Sequence, residues 1–553
     1  AEVDGQNWRG HAWVRDLLDA PGAQYLSAEA PAPHDLPQVK FFRRQVAMVE
    51  IHPGQTSAKP KPLQEASVTL PAGYLVDVFR ISGGKQHVYN FHGCVDDQFT
   101  VNAANRQPPN TPGEVEYLAP YRPASAPKDL KLAPPGGFPL NTPPDYWAGT
   151  VTSEHLTATW RLRREAEQRM LGNHAALTAP RKFIRLQLLS QKGNRVLHGI
   201  ARGKDGNGYY GRCLHMLREA DESVFTAVIE PFAGASSITG IRPLVIANNE
   251  TDARRATAIE VQTRHGRRDV VFADGRSERV RQLPKMKIAA EYALVSRDAK
   301  GLQHAVLHAG TLLDCGELKV EPERAAYTAV IESADYDKRT FVVTGQLPAH
   351  LAGQFFEAGN NDHRTSVEIA KLAPLGRNSK VTTRKSLELM RVHCSDLNGS
   401  AGTMRGNIAK LRLRGRDVGL TATNADGSKT WRAGYVDTQG IEFKLESIGD
   451  SNGPIFHNAD IPGGYLRIWD AGLGDQLTLR TSVALRRMPG KERVYQVTAT
   501  TPFKLELQGE HARWKKGAGE WRDLPVEKAG NRLALEIGAQ LIGGTSRLLL
   551  WVE

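Results

Sequence analysis

Short runs in which apolar and polar residues alternate recur along the whole chain, at 45–51, 74–81, 181–189, 224–229, 340–344 and 477–485. A period of two is that of half-buried β-strands, whose successive side chains point to opposite faces. Gly, Pro, Asn and Asp punctuate the runs at short intervals, and no regular alternation of strands with helices emerges. The best helical stretch, 162–171, contains RREAEQRM and is short and surface-like. The pattern predicts an all-β, antiparallel protein.

At 553 residues the chain is too long for one ordinary domain and suggests about three or four, fewer if they are large sandwiches. A first β-sandwich is expected over 1–245, ending after SVFTAVIEPF. A second β unit, completing or following it, spans 246–375 and holds AIEVQTRHGRRDVVFADG and RTFVVTGQLP; a C-terminal β-sandwich domain takes 376–553. The stretch 105–144 is rich in Pro and Gly and reads as a long surface connection. Its Tyr117 and Tyr121, with Tyr146 and Trp147 beyond, suit stacking on sugar rings or packing onto their own domain.

Hydrophobic content of 40% and charged content of 24% are those of a globular protein. No apolar run approaches the roughly 18 residues of a membrane span, so no integral membrane segment is expected. The net charge of +12 and a pI near 9.4 favour acidic partners: nucleic acid, an anionic membrane surface or an anionic polysaccharide. Nucleic acid loses ground because the basic clusters lack interleaved aromatics. One cluster, KLRLRGR, sets Lys410, Arg412, Arg414 and Arg416 on one strand face, as a polyanion ladder or a solvated face would; the other, Arg264 to Arg268, reads as an exposed turn.

Cys94, Cys213, Cys315 and Cys394 lie far apart, show no zinc spacing and are expected to be free and buried. No Gly-x-Ser-x-Gly and no phosphate-cradling loop occurs, which argues against a serine triad and phosphoryl transfer. His304 and His308 suit a strand as well as a metal-binding helix, and Asp470 and Asp475 suit Asx turns more simply than calcium.

The densest chemistry lies at 76–93, VDVFRISGGKQHVYNFHG. Gly83-Gly84 between two β-prone runs predicts a two-residue hairpin with Arg80 opposite His87 and Val78 opposite Tyr89. Alternation then puts Arg80, His87 and Tyr89 on one face and Asp77, Asn90 and His92 on the other. A cation, an imidazole and a phenol side by side suit acid/base work on an anionic substrate; they equally suit groups that satisfy one another in a sheet.

VDVFRISGGKQHVYNFHG, SVFTAVIEPF and the opening VDGQNW occur in the order in which they resemble motifs of the heparinase II/III-like bacterial polysaccharide lyases, over roughly 1–347. The resemblance implies a large two-sheet antiparallel β-sandwich (a supersandwich) followed by smaller C-terminal β-sandwich domains, without the family's N-terminal helical toroid. It implies β-elimination on a uronate within an acidic polysaccharide, in a periplasmic or secreted bacterial enzyme. The family's catalytic residues lie largely in the toroid. Its His-x-His-x-Asp and His-Asn motifs, which build the active site and a metal site, do not precede Val3 here. The chain is therefore expected to be the C-terminal part of a longer enzyme, whose complete form would take a divalent metal such as zinc; a homodimer is left open. Of the residues present, His87 and Tyr89 are assigned acid/base roles, and Arg80, His92, Trp8 and Arg9 substrate binding. The alternative is a non-catalytic carbohydrate-binding β-sandwich protein.

Overall fold

The structure, a computed structural model, describes residues 2–4, 6–7, 13–30, 38–51, 73–107, 147–163, 180–202, 210–335, 338–359, 364–386, 388–398, 401–405, 418–423, 429–436, 442–446, 465–469, 471–472, 474–491, 493–530, 532–542 and 548–553. Trp8, Arg9, 164–171 of the helical stretch, 108–144 of the long Pro/Gly connection and the 410–416 basic ladder lie outside the described residues. The protein is all-β: besides strands, only a turn of 3₁₀-helix at Ala349–Leu351 and one of α-helix at Ala539–Ile542 are described. Among the described residues no helix is long and apolar enough to cross a membrane.

Two large sheets dominate. The first runs, in spatial order, Trp13–Ala20, Ala23–Ala30, Phe41–Glu50, Gly73–Ser82, Glu222–Ala233, Lys182–Leu188, Leu156–Leu162, Gln86–Val101, Tyr210–Glu219, Arg195–Arg202, Trp147–Val151 and Ala103–Gln107. Its 16-residue strand Gln86–Val101 is the corner. Residues 96–101 pair with Leu156–Leu162, whereas 86–95 pair with Tyr210–Glu219, with bulges at both junctions. Such bulges bend a strand and let it serve two layers. The sheet thus folds on itself around Phe42, Phe79, Ile81, Tyr89, Trp160, Met216 and Phe225. Trp160 is fully buried between Phe91 and Phe99 and donates its indole N–H to the Arg212 carbonyl at 3.0 Å. Only glycine fits at 93, where a Cβ would lie 2.3 Å from that indole nitrogen.

The second sheet begins with Ile238–Pro243, Thr257–Thr263, Arg268–Ala273, Met286–Asp298 and Gly301–Asp314, then continues through Ser482–Arg487, Val494–Ala499 and Leu548–Val552. It packs against the outer face of Phe41–Glu50, Gly73–Ser82 and Glu222–Ala233 through Val49, Val76, Val78, Val228, Val261, Val271, Leu294 and Val306. Gly73–Ser82 is consequently buried on both sides: Tyr74, Val76 and Val78 meet the second sheet, Phe79 and Ile81 the folded-over half of the first. Between Leu318–Pro322 and Ser482–Arg487 the described strands form a closed six-stranded barrel, of Ala326–Asp335, Thr340–Val343, Phe355–Gly359, Arg364–Leu375, Asn378–Thr383 and Gln476–Arg480, and a six-stranded sheet that runs from Glu388–Asn398 to Tyr465–Trp469 in the sequence with one parallel pair, Ala401–Arg405 on Glu442–Glu446. The smaller β units are thus inserted into the second sheet, and strands from 482–552 complete it.

The hairpin predicted at Gly83-Gly84 does not form. Both glycines have positive φ, at 90° and 93°, as the sequence demands, yet the strands they join lie in different layers. Both edges of Gly73–Ser82 are already taken, by Phe41–Glu50 and Glu222–Ala233. The next strand pairs instead with Glu2–Val3 and Tyr210–Glu219. Asp4 stabilises the crossover by accepting the amides of Lys85 and Gln86 at 2.7 and 2.9 Å, and Val3 and Asp4 lie against Gly84, so the opening Val3-Asp4 and the Gly83-Gly84 turn meet in space.

First sheet, second sheet and barrel join at a buried ionic junction. Glu291 pairs with Arg43, lies 3.8 Å from Arg15 and 3.6 Å from Arg480, and accepts the Tyr25 hydroxyl at 2.9 Å. Arg480 also donates to Glu357 of the barrel at 2.7 Å, and Asp16 bonds His308. Burial pushes the Glu291 carboxyl up, but the three guanidiniums outweigh it and hold the group well below the usual carboxylate range. Glu291→Gln would leave Arg43, itself 3% exposed, without its counter-charge, and is expected to cost about 3–5 kcal/mol in chemical denaturation; a loss under about 1 kcal/mol would refute the junction's role.

Candidate functional site

The shared face predicted for Arg80, His87 and Tyr89 is divided between two interlayer spaces. Arg80, fully buried, points at the second sheet. It donates to Gln45 Oε1 at 2.7 Å and to the carbonyls of Ala253, Arg255 and Ala273. Burial and the nearby Arg43 charge pull its guanidinium down to about 9. It is therefore a latch between sheets, fixing the loop 251–255 onto the end of the first sheet.

His87 and Tyr89 point the other way, into the fold of the first sheet. His87 is fully buried; its Nε2 lies 2.8 Å from the Gly83 carbonyl and its Nδ1 2.8 Å from Ser223 Oγ. A carbonyl can only accept, so Nε2 carries the proton and Nδ1 accepts from the serine. Burial lowers the imidazole's pKa and keeps that neutral form. Tyr89 donates to Asp77 at 2.8 Å, and burial with the Asp77 charge raises the phenol well above its ordinary range. Asp77, expected on the opposite face, thus points inward, where Arg44 also grips it at 2.9 and 2.6 Å.

Asn90 and His92 do point outward, as alternation predicts. His92 is exposed, with its ring 6.4 Å from that of buried His215, which contacts Asn90 at 3.0 Å and Cys213 at 3.4 Å. Burial, helped by His92 and His198, pulls His215 down to about 3 and keeps it neutral. Cys213 and Cys315 are free and buried, and Cys94 is partly buried; the Cys394 side chain lies outside the described residues. His304 and His308 sit buried in the strand Gly301–Asp314, and Asp475 accepts the Gly472 amide in a turn. Among the described residues no three His, Cys, Asp or Glu side chains gather as a metal would need, so these residues do not form the divalent-metal site implied for the complete enzyme.

The sequence reading overlooked a basic cluster where the two interlayer spaces open. Arg218 lies beside His87 on the inward face of Tyr210–Glu219. Its guanidinium covers the Phe225 ring at 4.4 Å and donates to the Val224 carbonyl at 3.1 Å. Arg255, on the latched loop, donates to the Thr251 and Asp252 carbonyls, and Arg254 covers Phe41 at 4.4 Å. Neighbouring carboxylates are engaged elsewhere: Asp252 by Arg276, Glu250 by Arg279 and Arg281, and Glu222 by the Ser82 hydroxyl and the Ala253 amide. Among the described residues, none forms an ion pair with Arg218, Arg254 or Arg255. Burial, reinforced by the Arg255 charge, lowers Arg218 to about 10, and burial lowers Arg255 also. The Asp252 and Glu222 charges act on Arg255 in the opposite sense, whereas Arg218 has only the repulsion of Arg255 added to its burial, so an anion between the two would relieve it. One signal was available: Arg218 follows Leu214 and Met216 in an inward-facing period-two series, a position where a charge needs a reason.

No family model matches the chain, and no curated protein matches it at the significance required.

Linkage gives His215 a measurable signature. Its neutral form contributes fully above the unfolded-state pKa of about 6.5, and that stability is lost as pH falls toward the folded value of about 3. At about 1.4 kcal/mol per pH unit per proton, the wild type should have lost about 2 kcal/mol relative to His215→Gln between pH 7 and pH 5. Parallel pH profiles in urea would contradict this.

Proposed function

We propose that this chain is the substrate-holding β part of a polysaccharide lyase acting on an acidic, uronate-containing polysaccharide. The observation that carries the reading is the Arg218–Arg255 pair, half-buried and near enough for the Arg255 charge to act on Arg218, with Arg218 over the Phe225 ring, Arg254 beside it over Phe41, and no salt bridge to either Arg218 or Arg255 among the described residues. In β-elimination, a cation on the uronate carboxylate stabilises the charge that develops when the neighbouring ring proton leaves. Arg218 and Arg255 have the chemistry for that neutralising task, and exposed Arg254, next to Arg255 in the chain, has the charge for a further anionic group of the polymer. The net charge of +12 favours the encounter.

The proton-removing base belongs elsewhere in the complete enzyme. As bonded here, His87 offers no free lone pair and Tyr89 stays protonated, so both support the site's frame. The same observation favours the second reading, a carbohydrate-binding protein without catalysis, and both readings place the protein in the bacterial periplasm or outside the cell.

Two measurements separate them. The chain should be retained on immobilised polyuronates and glycosaminoglycans but not on dextran, and less so as salt rises. Arg218→Gln and Arg255→Gln should each weaken retention about tenfold, the scale of one charge-assisted hydrogen bond. Unchanged retention would remove the site. The complete protein should produce unsaturated uronate ends, seen by ultraviolet absorbance; binding without such products on any polymer tested would leave the non-catalytic reading.

A further inference from the structure

The far edge of the second sheet carries a surface of another kind. Ala512–Lys516 pairs with Leu548–Val552 on one side and with Arg522–Asp523 on the other. The register sets Arg513 between Trp551 and Asp523, and Lys515 beside Leu549. By alternation, Trp551, Leu549, Arg513 and Lys515 share the outward face. Trp521 joins them, for Lys515 Nζ lies 5.1 Å over its ring. Trp514 turns to the opposite side, packs on the core and meets Arg522.

On the strand Ser482–Arg487, Arg486 still meets Glu50 of the first sheet at 3.0 Å beside the Gly22 turn; among the described residues no hydrogen bond or ion pair joins the first sheet to Arg513, Lys515, Trp521, Leu549 or Trp551. One strand further out Val494 and Gln496 are still buried, but Leu549, Trp551 and Trp521 are only half-buried and Arg513 is exposed. Trp521 lies two strands across and two residues along from Trp551, a separation of about 12 Å by strand geometry, on the scale of a disaccharide.

We propose that this face is a second binding surface for an acidic polysaccharide, at the opposite end of the strand order from the loop that carries Arg254 and Arg255. It rests on the reading that the chain's ligand is such a polymer. The indole faces stack on the apolar faces of pyranose rings, while Arg513 and Lys515 meet the carboxylate or sulfate groups. Its charge is sparse, two cations with Asp523 paired to Arg513 at 3.2 Å. That suits one anionic group per disaccharide better than a nucleic-acid strand, which needs a continuous basic track.

The test uses the full 553-residue chain with polygalacturonate, chondroitin sulfate and oligothymidylate as probes. Trp521→Ala should weaken binding to the better of the two glycan polymers about fivefold to tenfold, with the thermal midpoint unchanged. Trp521→Phe should restore most of the affinity, and Lys515→Gln should lower the salt dependence. If Trp521→Ala and Lys515→Gln bind like wild type while Arg218→Gln does not, the surface is refuted and the underlying reading stands. If the wild type binds neither glycan, both fall. Preferential binding of oligothymidylate, lost in Trp521→Ala, would replace the glycan with a nucleic acid and also overturn the proposal.

Discussion

Arg80 is the contact on which the site's arrangement depends. It is a cation with no exposed surface, placed on a strand covered on both faces, where an uncompensated charge would cost several kcal/mol. It is stabilised by Gln45 and three backbone carbonyls of the second sheet and its preceding loop. Those carbonyls fix where the loop 251–255 lies, and hence where Arg254 and Arg255 stand relative to Arg218. A residue that the sequence offers as a substrate ligand therefore acts as the part that positions other ligands.

The same contact begins a relay across the interlayer space. Arg80 donates to Gln45, Gln45 donates to the Tyr25 hydroxyl at 2.8 Å, and Tyr25 donates to Glu291. Glu291 is the centre of the junction that holds both sheets to the barrel through Arg43, Arg15 and Arg480. A buried polar chain of this kind fixes the register of packed sheets more sharply than apolar contact alone. It ties the arginine edge to the buried ionic junction.

The period-two pattern made the all-β class legible, because alternation is imposed residue by residue wherever one face of a strand is buried. The Gly83-Gly84 turn was legible as backbone conformation but not as topology. Positive φ at two glycines says that the chain bends, not which neighbour the next strand will meet, and here both edges of Gly73–Ser82 were already filled. That one difference moved Arg80 away from His87 and Tyr89 and turned Asp77 inward. The arginine edge was harder to read, since it joins Arg218 to residues some 36 positions later through a loop whose placement depends on Arg80. The insertion of the barrel into the second sheet was likewise invisible, because pairing of Gly301–Asp314 with Ser482–Arg487 leaves no local signature.

The most direct test is arginine-selective chemical modification of the intact chain, followed site by site by mass spectrometry, with and without an acidic oligosaccharide. Arg218, Arg254 and Arg255 should be protected by the ligand, Arg80 unreactive in both states, and Arg242 and Arg384, exposed but already paired, unchanged by it. Equal modification of Arg218, Arg254 and Arg255 in both states would show that the polysaccharide does not occupy this edge.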